Sequence, residues 1–457
     1  MKNTISLLVS LIALLGITSA QAAQDLAGKV GYMSGTLVAQ RGDGTIKVMA
    51  PKSEVLEGDV LVTAKDSYAQ VVMNDGTKMT LRPDSNLKID TYKFNKDSPS
   101  SDSAIYRLLK GGFRTVTGLI GKRGNPDAFK LHTTTATIGV RGTDFTTRLC
   151  ATQNCQDDGK VTTAVKRTTE ETRAVGRVML IEGGVEATQS DGIVRKLILG
   201  SPVYEGDTLK SAENSHTVVV FRDGGRITLQ ASSVFKVEQF KFEKETNEEN
   251  AVLRLIKGGV RVVTGLIGRS KHENYKFNIT TATIGVRGTG FDAWCNGPCA
   301  NGAKEFGATL QKPLEGAGVY VWSGEVALTS PNGTITVGIN QAAIITRDTG
   351  KPAQVTNIPQ EIKNNPAPKP DSVPVDLEKL FKERSGSGEP GLYVTVHDGQ
   401  VILAKGDSKI DLGRGESGFA DAENLLRLKE TPNFMHGDKM LENLGGNLKH
   451  GSSCVVE

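Results

Sequence analysis

Apolar and polar positions alternate along most of this chain with a period of two. Ala69-Gln-Val-Val-Met73 and Lys78-Met-Thr-Leu81 flank Asp75-Gly76, and Thr217 to Phe221 and Arg226 to Leu229 flank Asp223-Gly224. Asp-Gly between alternating β-formers predicts a tight hairpin, because both central residues of the favoured turn need a positive φ. The pattern also predicts a hairpin from Ile105 to Leu109 and Phe113 to Val116 around Gly111-Gly112. Short strands with a turn signal about every 8 to 12 residues imply an all-β chain. The turn spacing suits a short β-helix-like or rolled sheet better than a two-sheet sandwich. Helical patterning is confined to Asp376 to Arg384 and Asp421 to Lys429.

The pattern is also duplicated. Thr134-Thr-Ala-Thr-Ile-Gly-Val-Arg-Gly-Thr143 recurs without change from Thr280 to Thr289. At nearly the same offset, Glu57-Gly58-Asp59 matches Glu205-Gly206-Asp207, Arg107 to Gly112 matches Arg254 to Gly259, and Thr117 to Gly121 matches Thr264 to Gly268. A third element, Val319 to Leu328, resembles Leu392 to Leu403 and supplies a second closing segment for two repeats. The first repeat has little room for such a segment, since the second starts near Val175. The implied arrangement is nested, with Leu392 to Ala420 carried back to complete repeat 1; a separate, truncated third module is the alternative.

Residues 1–22 read as a signal peptide: Lys2, an apolar run from Ile5 to Ile17 that is short for a bilayer span, and Ala20-Gln21-Ala22 as the cleavage site. An uncleaved amino-terminal anchor is the alternative. The expected divisions are then 23–170 for repeat 1, 171–350 for repeat 2, 351–389 for a proline-rich linker with a short helix, 390–422 for the closing segment and 423–457 for a tail. In the linker, Asn365-Pro-Ala-Pro-Lys-Pro370 favours extended backbone at about 3.1 Å per residue, ample to span a domain.

Composition narrows the function. In 457 residues, 55 Lys and Arg face 51 Asp and Glu, a net +4 that lacks the basic footprint of a nucleic-acid binder. Aromatic residues are only 5%, few for stacking sugars or bases. With 38% hydrophobic residues and 52 glycines, the chain has enough apolar content to fold.

The order of motifs resembles the FecR domain family: Gly28-Lys-Val30, Glu57 to Asp59, Asp75-Gly76, Lys110 to Gly112 and Thr133 to Phe145, then the same series from Gly176-Arg-Val178 through Phe291, closed by Val319 to Val326. The resemblance implies an exported, β-rich binding module. The family's namesake is an inner-membrane regulator whose cytoplasmic part controls a sigma factor and whose periplasmic part senses an iron transporter; this chain shows neither a cytoplasmic segment nor an internal membrane helix. The reading is therefore a non-enzymatic periplasmic or secreted module recognising another envelope protein, by edge-strand addition. Binding of peptidoglycan or a surface polysaccharide, and iron-responsive regulation, are the alternatives.

Candidate chemistry is sparse. Arg141-Gly142-Thr143 and Arg287-Gly288-Thr289 offer a guanidinium fork for carboxylates or phosphates, or else glycine bends the strand while Thr and Arg satisfy neighbouring groups. Glu57, Asp59, Glu205 and Asp207 read as turn formers before acid–base or metal groups. The six histidines, His132, His216, His272, His397, His436 and His450, show no ligand spacing and no match between repeats. No nucleophile elbow, phosphate loop or dinucleotide fingerprint is present, so no catalytic residue, cofactor or metal is assigned. Cys150 with Cys155 and Cys295 with Cys299 suit local disulfides in an oxidising compartment; a zinc site formed by both pairs is the rival. Cys454 is left over, as a free thiol or for an intermolecular bond.

Overall fold

A computed structural model describes residues 25–151, 173–297, 299, 316–384 and 388–436, apart from positions 124, 126, 191, 244–247, 281, 347–348, 357 and 359. These residues form two sheets, each a module with its own core. Neighbouring strands run antiparallel except where Phe129–His132 lies along Ser103–Val116, Tyr275–Ile279 along Glu248–Val263, and Glu383–Arg384 along Leu425–Leu428. The fold is all-β, a rolled sheet rather than a stack of parallel rungs.

The Asp75-Gly76 and Asp223-Gly224 hairpins form, with Val72 opposite Lys78 and Val220 opposite Arg226. Lys110-Gly111-Gly112 does not turn the chain. Ser103–Val116 is one continuous strand, and Glu248–Val263 is its counterpart. The first half of Ser103–Val116 pairs with Asn86–Lys93, and the second half with Lys78–Leu81 and Thr137–Cys150. Gly111 sits at the change of partners with φ +76°, and a side chain there would meet Ser85 Oγ at 2.3 Å. The glycine thus bends a strand between two layers, which local pattern cannot tell from a hairpin.

The long strands that follow bend in the same way at Arg141-Gly142-Thr143 and Arg287-Gly288-Thr289, where the register shifts. Inward-facing residues of both layers meet in the core. Phe129 and Phe145 pack edge-to-face at 6.5 Å and 86°, and Phe277 and Phe291 repeat the contact at 5.4 Å and 88°.

The closing strand of the second module, Gly316–Ser330, pairs along Ala282–Asn296, with Val321 opposite Phe291. The equivalent strand of the first module is Gly391–Lys405, which pairs along Thr137–Cys150 with Val396 opposite Phe145. The first sheet is therefore completed from the far side of the second module. Val394, Val401 and Leu403 are fully buried in the first core, each worth about 1.5 to 3 kcal/mol.

Two helical expectations change. Asp376 to Arg384 shortens to Leu377–Leu380, capped by Asp376 Oδ1 accepting from the Lys379 N–H at 3.0 Å, and is followed by the strand Glu383–Arg384. In Asp421 to Lys429 the residues Leu425–Leu428 are a strand, not a helix, pairing with Ser417–Ala420. An open sheet edge beside this segment outweighs its weak helix propensity. The second sheet also takes in Pro352–Val355, paired with Ala342–Ile345. No helix among the described residues is long and apolar enough to cross a membrane; residues 1–22 lie outside the described residues.

Candidate functional site

Both repeated motifs build the fold. In the first copy Thr143 donates its Oγ1–H to the Gln400 carbonyl at 2.6 Å, while its N–H reaches Thr117 Oγ1 at 2.7 Å. In the second, Thr289 does the same toward Glu325 at 2.9 Å and Thr264 at 2.8 Å. Gly142 and Gly288 hold φ +56° and +59° at the corner. The threonine thus sews the bent strand to its closing strand and to the start of a one-turn helix. In the E-G-D turns, Asp59 and Asp207 accept the N–H of Leu56 and Tyr204, each at 2.9 Å, and each carries an arginine, Arg41 at 3.0 Å and Arg195 at 2.5 Å. Glu57 and Glu205 hold the N–H groups of Tyr92 and Phe240 on the adjoining strand.

The two R-G-T arginines have different surroundings. Arg287 is exposed, whereas Arg141 lines a cleft of about 310 Å³ between the modules. Lys122 and Asp398 face it from the first module, and Val194 and Lys196 from the second. Arg141 Nε and Asp398 Oδ1 are buried there without a hydrogen-bond partner. The floor of the cleft is the junction itself, where Gln400 Nε2 donates to Ser201 Oγ at 2.7 Å.

Beyond the cleft lies a charged interface that sequence reading missed. Arg177, with no exposed surface, pairs with Glu416 of the closing segment, and Tyr204 donates its hydroxyl to the Arg414 carbonyl at 2.9 Å. Burial raises Glu416, but Arg177, Arg427 and the Gly413 N–H outweigh it and hold the carboxyl below its usual range. Asp411 has no such hydrogen bonds: burial, reinforced by Glu416, pushes it up to about 7 against the pull of Arg177, Arg427 and Arg195. Burial, with repulsion from Arg177, lowers Arg427 to about 10. Arg177 occupies the middle of the second Gly-x-Val, where the first copy has the exposed Lys29. That swap was the one available signal.

Several strands are paired on one side only, among them the corresponding hairpin strands Ile46–Val48 and Val194–Lys196. Among the described residues, Ile46–Val48 pairs only with Leu37–Gln40, and Val194–Lys196 only with Val185–Thr188. Ile46 and Val48 are 67% and 73% exposed.

Cys295 and Cys299 form a disulfide, which removes that pair from any zinc site. Cys150 is disulfide-bonded as well; Cys155 and Cys454 lie outside the described residues. His397 meets Thr146 Oγ1 at 2.8 Å and His216 meets Glu182 at 3.2 Å. Among the described residues no group of three His, Cys, Asp or Glu side chains is placed to hold a metal ion.

The profile of the FecR protein family matches residues 59–186 and again 207–303. No curated protein matches the chain. Among solved structures, a crystal structure at 1.65 Å of a candidate anti-sigma factor from Parabacteroides distasonis is 14% identical, with a TM-score of 0.25 over 45% of this chain and 98% of that one. A second at 2.50 Å, also of a candidate anti-sigma factor from that organism, is 15% identical with the same TM-score over 49% and 99%.

Proposed function

We propose, from the premise that this chain belongs to the FecR family through two successive copies, that it is a regulatory binding protein of the bacterial envelope. It is exported through its amino-terminal signal peptide and acts without catalysis. Its partner is another envelope protein, which adds a strand to the open edge at Ile46–Val48.

The observation that carries this reading is that edge. Its backbone is paired on one side only, and two β-branched side chains stand bare beside it. Natural sheets usually protect such edges with charge, proline or a covering element, so an open one suits strand addition. Thr143 and Asp59, within the repeated motifs, are spent on main-chain bonds inside the fold, which supports a non-catalytic reading. Sugar stacking has little to act on, since Tyr32 is the one aromatic among the exposed large hydrophobics of the described residues.

A photo-crosslinker at Lys47, tested in intact cells, should capture one envelope protein that a crosslinker at the exposed Lys276 does not. The double substitution Ile46→Lys, Val48→Lys should abolish the capture. Equal capture from both positions, or no effect of the double substitution, refutes the edge as the contact. Periplasmic fractionation with amino-terminal sequencing tests export and cleavage after Ala22.

A further inference from the structure

The proline-bearing segment 365–373 does not hang free. It crosses four adjacent strands of the second module, and every side-chain hydrogen bond from those strands to it goes to a main-chain carbonyl. Arg261 Nη1 donates to Ala367 O at 2.6 Å and Asn365 O at 3.2 Å, Thr228 Oγ1 to Pro368 O at 2.8 Å, and Arg226 Nη1 to Val373 O at 2.7 Å. Lys369 lies over the Trp322 ring at 4.6 Å. Asp292 holds the floor in place, accepting from Arg261 Nε at 3.0 Å and Trp322 Nε1 at 3.2 Å.

A groove of donors facing a row of carbonyls matches proline-rich chain in particular. Proline offers no N–H to be left unpaired, and here the segment runs extended at Lys369 before one 3-10 turn at Pro370–Ser372. An aromatic platform beside such donors is a recurring means of reading these segments. Only Pro370 is buried among residues 364–375, so the strap lies on the surface.

The duplication shows that this groove belongs to the second module alone. By strand register Asp144 corresponds to Gly290, Thr146 to Asp292 and His397 to Trp322. In the first module Asp144 clamps Arg114, the counterpart of Arg261, through two bonds at 2.8 and 2.7 Å. In the second, glycine removes that carboxylate and makes room for the indole, since a Cβ at Gly290 would lie 2.4 Å from Trp322 Cζ3. Three positions differ together within a region whose Ile-Gly-Val-Arg-Gly-Thr stretch is unchanged.

We infer that Arg226, Thr228, Arg261 and Trp322 form a groove that accepts proline-containing segments, and that 365–373 is its tethered resident, which a like segment supplied in trans displaces. This is independent of strand addition at Ile46–Val48, and its test needs no envelope partner. In the full chain, residues 365–373 are replaced by nine Gly/Ser residues, and a synthetic peptide Asn-Pro-Ala-Pro-Lys-Pro-Asp-Ser-Val is titrated in by calorimetry and tryptophan emission. Saturable binding is expected, at least tenfold tighter than to the unaltered chain, and at least tenfold weaker when Trp322→Ala or Arg261→Ala is added or when the peptide's prolines become alanines. No saturable binding, or equal binding to both chains, overturns the inference. Should the replaced chain fail to fold, excess peptide added to the unaltered chain should speed hydrogen exchange at Asp371 to Val373, and unchanged exchange overturns it.

Discussion

Arg177 and Glu416 stand 239 residues apart in the chain and meet as an ion pair in which Arg177 is fully buried and Glu416 is 11% exposed. The pair joins the opening strand of the second module to the segment that closes the first. Arg177 also donates to the Gly200 carbonyl at 3.3 Å, so the guanidinium is held from both sides.

Removing one partner strands the other in a dry interface, at a cost of about 3 to 5 kcal/mol. Arg177→Met should therefore lower the denaturation midpoint of the whole chain markedly. Arg177→Met combined with Glu416→Leu should recover much of that loss, and a double-mutant cycle by chemical denaturation measures the difference. Additive losses would show that the pair is not coupled.

Asp411 sets a pH dependence of its own. Burial raises its carboxyl from an ordinary 3.8 to about 7, so the folded chain holds a proton that the unfolded chain releases over that window. Its contribution to stability is full below about pH 4 and lost as pH rises through 7. At about 1.4 kcal/mol per unit, the span amounts to a few kcal/mol. Glu416 titrates below its ordinary value, so its own loss falls at more acid pH. Asp411→Asn should flatten the decline in melting temperature between pH 5 and 8; an unchanged slope rejects this role.

Ending the chain before Pro390 removes the strand that buries Val394, Val396, Val401 and Leu403. The first module should then be cut rapidly by protease while the second resists. Equal resistance of both modules, with unchanged thermal unfolding, would contradict the pairing of Thr137–Cys150 with Gly391–Lys405.

Two glycines in matched strands provide a paired test of packing. Gly139 has no atom within 4 Å of an added Cβ, whereas Gly290 has the Trp322 ring at 2.4 Å. Gly139→Ala should leave stability within about 0.5 kcal/mol. Gly290→Ala should displace the indole, costing about 1 to 3 kcal/mol as overpacking does, with a shift in tryptophan emission. Equal effects would mean that Trp322 does not rest on Gly290.

Much of each module is legible residue by residue. Alternation placed the Asp75-Gly76 and Asp223-Gly224 hairpins, and the repeated Thr-Ile-Gly-Val-Arg-Gly-Thr marked two copies of one architecture. Gly111 was misread because a glycine that bends a strand and one that reverses it leave the same local trace; the distinction lies in Ser85, in the turn before Asn86–Lys93, which packs on Gly111 and bonds Gly112. Leu425–Leu428 was misread for a similar reason, since its strand depends on Ser417–Ala420 being there to pair with.

What the amino-acid order determined unaided is therefore the local and the repeated: period-two strands, left-handed glycines, acidic turn residues and a duplicated series of motifs. Each depends on neighbours within a few residues. The tertiary structure alone decided which edge accepts which strand, as when Thr143 bonds Gln400 across 257 residues. It also decided that Arg177 is buried against Glu416, and that the proline-bearing segment lies across Trp322 rather than in solvent. Strand pairing and charge burial join groups far apart in the chain. Their energies depend on which surfaces the finished fold removes from water, and no local pattern records that.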